Sequence, residues 1–156
     1  MKTGSEVFID TNILVYSTLE DFDREKYLEC RQALNQFQEN DFSLNISTQV
    51  LREFYGVVTG KKYLKTPLEP DAAKNQLIYF MSVFNVIEIS HEVILKLIKL
   101  IDKYKIIGQK IHDATIAATM LNSNIDTLLS YNRRDFVVFD EIKIVEPTEV
   151  LNFIHF

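Results

Sequence analysis

With 156 residues, 47% of them apolar and 25% charged, the chain has the size and composition of one soluble globular domain, which excludes disorder as its main state. Its single cysteine, Cys30, excludes an internal disulfide and a zinc site built on cysteines. Seventeen Lys and Arg against 22 Asp and Glu give a formal charge of −5, which argues against broad charge-driven binding of nucleic acid but does not exclude a nucleic-acid enzyme whose acids are gathered around metal ions. The first residues, Met1 to Glu6, have no apolar core like a signal peptide's. No apolar run approaches the roughly 18–20 residues of a membrane helix. The expectation is a cytoplasmic protein of one domain over residues 1–156, with no membrane partner.

In chain order, Val7-Phe8-Ile9 is a short continuous apolar run, as in a strand buried on both faces, and it stops at Asp10-Thr11-Asn12. Tyr27, Ala33, Leu34 and Phe37 recur near helical spacing and predict an amphipathic helix over 24–39. Phe42 to Ile46 reads as a second strand, with Ser47 and Thr48 as candidate caps of a helix through about Val58. Pro70 and Asp71 suit the start of a helix to about Met81, and Val83 to Ile89 alternates as a strand does. After Ser90, a candidate cap, Val93, Ile94, Leu97, Ile98 and Ile101 predict an apolar helical stripe. An alanine-rich helix follows Gly108 from His112 to about Leu121. Strands at Asp126–Ser130 and Lys143–Val145 and a closing helix from Thr148 to Ile154 complete the chain. Strands alternating with helices imply parallel pairing through right-handed crossovers, hence an α/β fold: a three-layer α/β/α sandwich around a central parallel sheet.

Four acids stand out from the solvated ones. Asp10 directly follows the first strand, at the carboxyl end where open parallel sheets bind ligands, although an Asx turn or helix cap would use the same residue. Glu53 shares a helix face with Val50 and Val57, a costly place for an unpaired charge unless a rim position or salt bridge relieves it. Asp113 shares a face with Ile116, Ala117 and Met120 near a helix N-terminus, where simple capping is the competing role. Asp135 lies just past the Asp126–Ser130 strand in an otherwise ordinary polar loop. Gathered above one sheet edge, four carboxylates would raise one another's pKa values unless divalent cations neutralised them. Mg²⁺ and Mn²⁺ take such oxygen ligands, and the chemistry suggested is hydrolysis of phosphodiesters.

In this order, four segments are similar to those of the PIN-domain nucleases, especially the toxin-like branch typified by VapC. They are Val7-Phe8-Ile9-Asp10-Thr11-Asn12, Ile46-Ser47-Thr48-Gln49-Val50-Leu51-Arg52-Glu53, His112-Asp113-Ala114-Thr115-Ile116-Ala117-Ala118, and Leu129-Ser130-Tyr131-Asn132-Arg133-Arg134-Asp135-Phe136. The resemblance implies a Mg²⁺- or Mn²⁺-dependent endoribonuclease with Asp10, Glu53, Asp113 and Asp135 as its catalytic, metal-holding acids. The family places its fourth acid at the position of Asn132 or of Asp135. Only the latter is acidic here, so Asn132 is expected to support by hydrogen bonding. Thr11, Asn12 and Ser47 match positions that support the site through hydrogen bonds, and Ser130 stands where threonine is common. Toxin members are usually homodimers restrained by an antitoxin protein, and the substrate implied is RNA. Two local basic clusters, Lys61, Lys62 and Lys65 and then Arg133 with Arg134, are candidates for gripping it; a solvated surface is the plain reading of both.

Other readings fail on spacing. Gly56 to Lys61 has one residue too few between its glycines for a phosphate-binding loop and ends a helix instead of opening one. An aspartyl-nucleophile phosphatase would need a second acid where Asn12 stands. The surviving alternative to an enzyme is a catalytically weak PIN-like module that binds RNA or protein.

Overall fold

The computed structural model describes residues 5–156, so Met1 to Gly4, part of the N-terminal stretch considered above, lie outside it. Strand β1 is Glu6–Ile9, followed by helices α1 (Thr11–Thr18) and α2 (Arg24–Glu39). Strand β2 (Ser43–Ser47) leads into α3 (Thr48–Thr59) and α4 (Pro70–Val83). Then come β3 (Asn85–Ile87), α5 (His91–Tyr104), α6 (Lys110–Asn122) and β4 (Thr127–Leu129). A single turn α7 (Arg133–Phe136), strand β5 (Lys143–Val145), a 3₁₀ turn and α8 (Val150–His155) close the chain.

The five strands form one parallel sheet in the order β3-β2-β1-β4-β5, with helices on its two faces. This is the three-layer α/β/α sandwich expected. Val7, Phe8 and Ile9 are fully buried, as a strand covered on both faces requires. Phe8, Phe37, Phe54, Phe136 and Phe139 supply the largest buried side chains. The chain lays β2 and β3 to one side of β1, then crosses back to place β4 on the other. The order therefore reverses between β1 and β4, and the carboxyl ends of those two strands flank the crevice where open α/β sheets bind ligands.

Several elements differ from their sequence expectation. Helix α1 occupies a stretch that carries no amphipathic pattern, because Ile13, Leu14, Val15 and Ser17 are all buried and it has no polar face. Helix α7 replaces a polar loop with one turn. On α5 the inward residues are Val93, Leu97 and Leu100, while Ile94 and Ile98 of the predicted stripe are 42% and 55% exposed. Apolar residues at both i+3 and i+4 made two neighbouring stripes available, and packing against α6 selected one. Among the described residues, no helix is long and apolar enough to cross a membrane.

Candidate active site

Asp10 ends β1 and caps α1. Its extended backbone lets Oδ1 accept from the Thr11 amide at 2.8 Å, which satisfies one of the unpaired donors at the helix start. Oδ2 faces the switch point and accepts from Ser130 Oγ at 2.7 Å and Asn12 Nδ2 at 3.1 Å. Ser130 Oγ in turn accepts from Asn12 Nδ2 at 3.2 Å and the Asn132 amide at 2.9 Å. Asn12 completes the link with Oδ1, which accepts from the Tyr131 amide at 3.2 Å. The ends of β1 and β4 are thus stitched through side chains where ladder pairing stops.

Glu53 comes from α3. Its Oε2 accepts from Thr11 Oγ1 and its Oε1 from Gln49 Nε2, both at 2.8 Å. Gln49 Nε2 also reaches the His112 carbonyl at 3.1 Å, tying α3 to the first turn of α6. The other end of that amide, Gln49 Oε1, is buried with no partner among the described residues. Ser47 makes the helix cap expected of it. Its Oγ accepts from the Val50 amide at 3.3 Å and caps α3, so it aims the helix that carries Glu53 without touching a carboxylate.

Asp113 sits in the first turn of α6 above the buried Ile116, Ala117 and Met120. Lys110, one turn earlier, donates to Asp113 Oδ2 at 3.3 Å and to the Asp135 carbonyl, bridging α6 and α7. Asp135 itself is exposed on α7, and its carboxylate makes no hydrogen bond among those described.

Asp10, Glu53, Asp113 and Asn132 line one cleft of about 690 Å³, together with Thr11, Asn12 and Lys62. Burial pushes the Asp10 carboxyl up to about 6, the Ser130 and Thr11 hydrogen bonds oppose this, and the charges of Glu53 and Asp113 add to the rise. Burial likewise raises Asp113, Lys110 holds it down, and Asp135 and Glu53 push it further up. These are hard oxygen donors that repel one another, a donor set suited to a divalent cation such as Mg²⁺ or Mn²⁺. Among the described residues, however, no three acidic, histidine or cysteine side chains form a ready-made cage, and the Lys110 ammonium pairs with Asp113.

The PIN domain family model matches residues 7–143. The chain belongs to the PIN domain family. The fold is similar to VapBC2 from Rickettsia felis bound to a DNA fragment from its promoter, at 23% identity and a TM-score of 0.67 over 90% of this chain and 98% of that one. A toxin-antitoxin complex from Klebsiella pneumoniae matches at 25% identity and a TM-score of 0.62, covering 90% of this chain and 97% of the other. VapC20 from Mycobacterium tuberculosis, described as a sarcin-ricin-loop-cleaving toxin, matches at 13% identity and a TM-score of 0.62 over 85% and 95% of the two chains. A search of curated proteins finds no match.

Within the PIN cleft, the basic residues separate. Lys62 lines it, while Lys61 is exposed beside it. Arg133 pairs with Glu149, and Arg134 is exposed. Gln49 and Lys110 were not singled out in the sequence. The only signal for Lys110 is its i,i+3 spacing from Asp113, which is common on any helix.

Proposed function

We propose that this PIN domain is a Mg²⁺- or Mn²⁺-dependent endoribonuclease and the toxin of a toxin-antitoxin pair. The observation that supports it most is the meeting of Asp10, Glu53 and Asp113, from β1, α3 and α6, in one cleft at the switch point of the sheet. Ser130 and the Thr11 amide fix the two Asp10 oxygens, and Thr11 Oγ1 and Gln49 fix those of Glu53. Held this way, Asp10, Glu53 and Asp113 would hold the cation, with Asp135 as a further ligand or water-positioning group and Asn132 as a hydrogen-bonding support. The cation, when bound, would supply Lewis acidity toward the phosphodiester and a water made nucleophilic near neutral pH. Lys62, which lines the cleft, and the exposed Arg134 would meet RNA phosphates.

The relatives described as VapBC and toxin-antitoxin complexes support an antitoxin protein as partner. The sarcin-ricin-loop-cleaving relative supports RNA as substrate. A cytoplasmic homodimer fits this role, and Ile78, Met81, Ile94 and Ile98, all exposed, offer apolar surface for it. One observation favours the catalytically weak alternative: Lys110 occupies Asp113.

The deciding experiment is cleavage of end-labelled single-stranded and structured RNAs by the parent and Asp113→Asn, with Mn²⁺, Mg²⁺ or EDTA. Cleavage by the parent alone, abolished by EDTA, is the expected result. Equal activity of both proteins, or none with a folded, metal-binding parent, would reject the nuclease reading.

A further inference from the structure

The cleft has an apolar lining beside its acidic one. Besides the carboxylates it is lined by Val15, Tyr16, Phe22, Val57, Tyr63 and Ile116. Two of these rings are out of place for folding alone. Phe22, between α1 and α2, is 41% exposed, and Tyr63, between α3 and α4, is 57% exposed. Leaving large rings in water forgoes hydrophobic stabilisation, and here two separate connections do so at one cleft.

The rings are also ordered. Tyr131 meets Tyr16 edge-on, with centroids 5.5 Å apart and planes at 86°. Tyr16 lies nearly parallel to Phe22, at 5.7 Å and 9°. Phe22 thus ends a braced stack, with one face covered by Tyr16. Lys62 Nζ sits 5.0 Å from the Tyr63 ring centroid and brings a cation to the same cleft.

We propose that this wall is a nucleobase subsite, in which an unpaired base next to the scissile phosphate stacks on Phe22 and Tyr63 while Lys62 meets the adjoining phosphate. The inference rests on the ribonuclease reading and deepens it by assigning Phe22, Tyr63 and Lys62 to the nucleotide beside the cleaved bond. A planar base continues the Tyr16–Phe22 stack, and stacking is indifferent to sequence because every base has a π-face. Bases within an A-form duplex are already stacked and unavailable. Charge balance points the same way. A chain of net charge −5 has no broad basic face to hold a polyanion, so affinity must come from rings and a few local cations. At about 690 Å³ the cleft falls within the roughly 300–1,000 Å³ typical of small-ligand sites.

The test is Mn²⁺-dependent cleavage kinetics for the parent, Phe22→Leu, Tyr63→Leu and Phe22→Trp. The substrates are a short mixed-sequence single-stranded RNA, the same RNA made abasic beside the cleaved bond, and its duplex. Both leucine variants are expected to raise KM for the intact single strand about tenfold with kcat nearly unchanged, and Phe22→Trp to restore it. The abasic change should cost the parent a similar factor and the leucine variants almost nothing, and the duplex should be a poor substrate for all. A parent that cleaves RNA while the variants match it, or an abasic penalty equal in parent and variants, overturns the subsite and leaves the nuclease standing. Unchanged RNA kinetics with weakened capture of a partner protein would reassign the wall to protein docking and overturn it as well. A parent that cleaves no RNA would bring down both readings together.

Discussion

The Ser130 hydroxyl donates to Asp10 Oδ2 at 2.7 Å, joining residues 120 positions apart, and has no hydrogen-bonding capacity left over. A serine hydroxyl has one proton to donate and two lone pairs to accept with. Asn12 Nδ2 and the Asn132 amide fill the lone pairs, so the proton is committed to Asp10. The hydroxyl is therefore a fixed dipole that favours the ionised carboxylate.

Ser130→Ala should release that hold. The hydrogen bond lowers the Asp10 pKa against its burial, so its loss raises the pKa further and moves the acid limb of the pH–rate profile to higher pH. Activity at neutral pH should fall about tenfold, in the range seen when residues orienting metal ligands are lost. Ser130→Thr keeps the hydroxyl and should keep the parent profile. An alanine variant whose acid limb does not move would refute the role.

Asp10→Asn should abolish cleavage and stabilise the metal-free protein. The folded Asp10 titrates at about 6 against an ordinary 3.8, so between these values the folded state binds more protons than the unfolded one. Stability contributed through this group then falls as pH rises from about 4 to about 6, by about 3 kcal/mol at most. The asparagine carries no such penalty. In EDTA its thermal midpoint should exceed the parent's above pH 6 and coincide with it below pH 4. Parallel stability curves across the whole range would show that the burial of Asp10 is compensated elsewhere.

Lys110→Met should tighten Mn²⁺ binding. The ammonium lies 3.3 Å from Asp113 Oδ2 and competes there with any added cation. Isothermal titration with Mn²⁺ should give a Kd several-fold lower for the variant. A weaker Kd would mean that Lys110 orders the site instead of occupying it.

Gln49→Ala removes the amide that joins Glu53 on α3 to the His112 carbonyl on α6. Loss of two hydrogen bonds, one to a carboxylate, should lower stability by about 1–3 kcal/mol in chemical denaturation. Cleavage should fall with it, because Glu53 then keeps only Thr11 as an orienting partner. Full activity in a destabilised variant would confine Gln49 to holding the helices together.

The parts legible in the sequence were those where an acid contradicts a regular apolar period. Asp113 over Ile116, Ala117 and Met120 is the clearest case, and all three of those residues are buried. Asp10 was marked by the apolar run ending at it. Gln49 and Lys110 left no such mark, because a polar residue on a helix looks alike whether it faces water or a carboxylate from a distant segment. Helix α1 was hidden for the opposite reason: burial nearly all round erases the polar half of the pattern. Ser47 shows a third limit, since the same hydroxyl suits a helix cap and a site contact, and among the described residues the bond found is the cap.

The placing of β1 in the sheet bears on when the cleft is assembled as the chain is made. Among the described residues β1 precedes the other strands, yet it lies in the middle of the sheet, and one of its neighbours, β4, is the fourth of the five in chain order. A nascent chain can pair β1 with β2 soon after they emerge, but Asp10 then lacks Ser130 and has no Asp113 beside it. For a ribonuclease, this late assembly would be a safeguard. If the chain is the ribonuclease proposed above, its growing form would lack a complete site until β4 had been made and paired with β1.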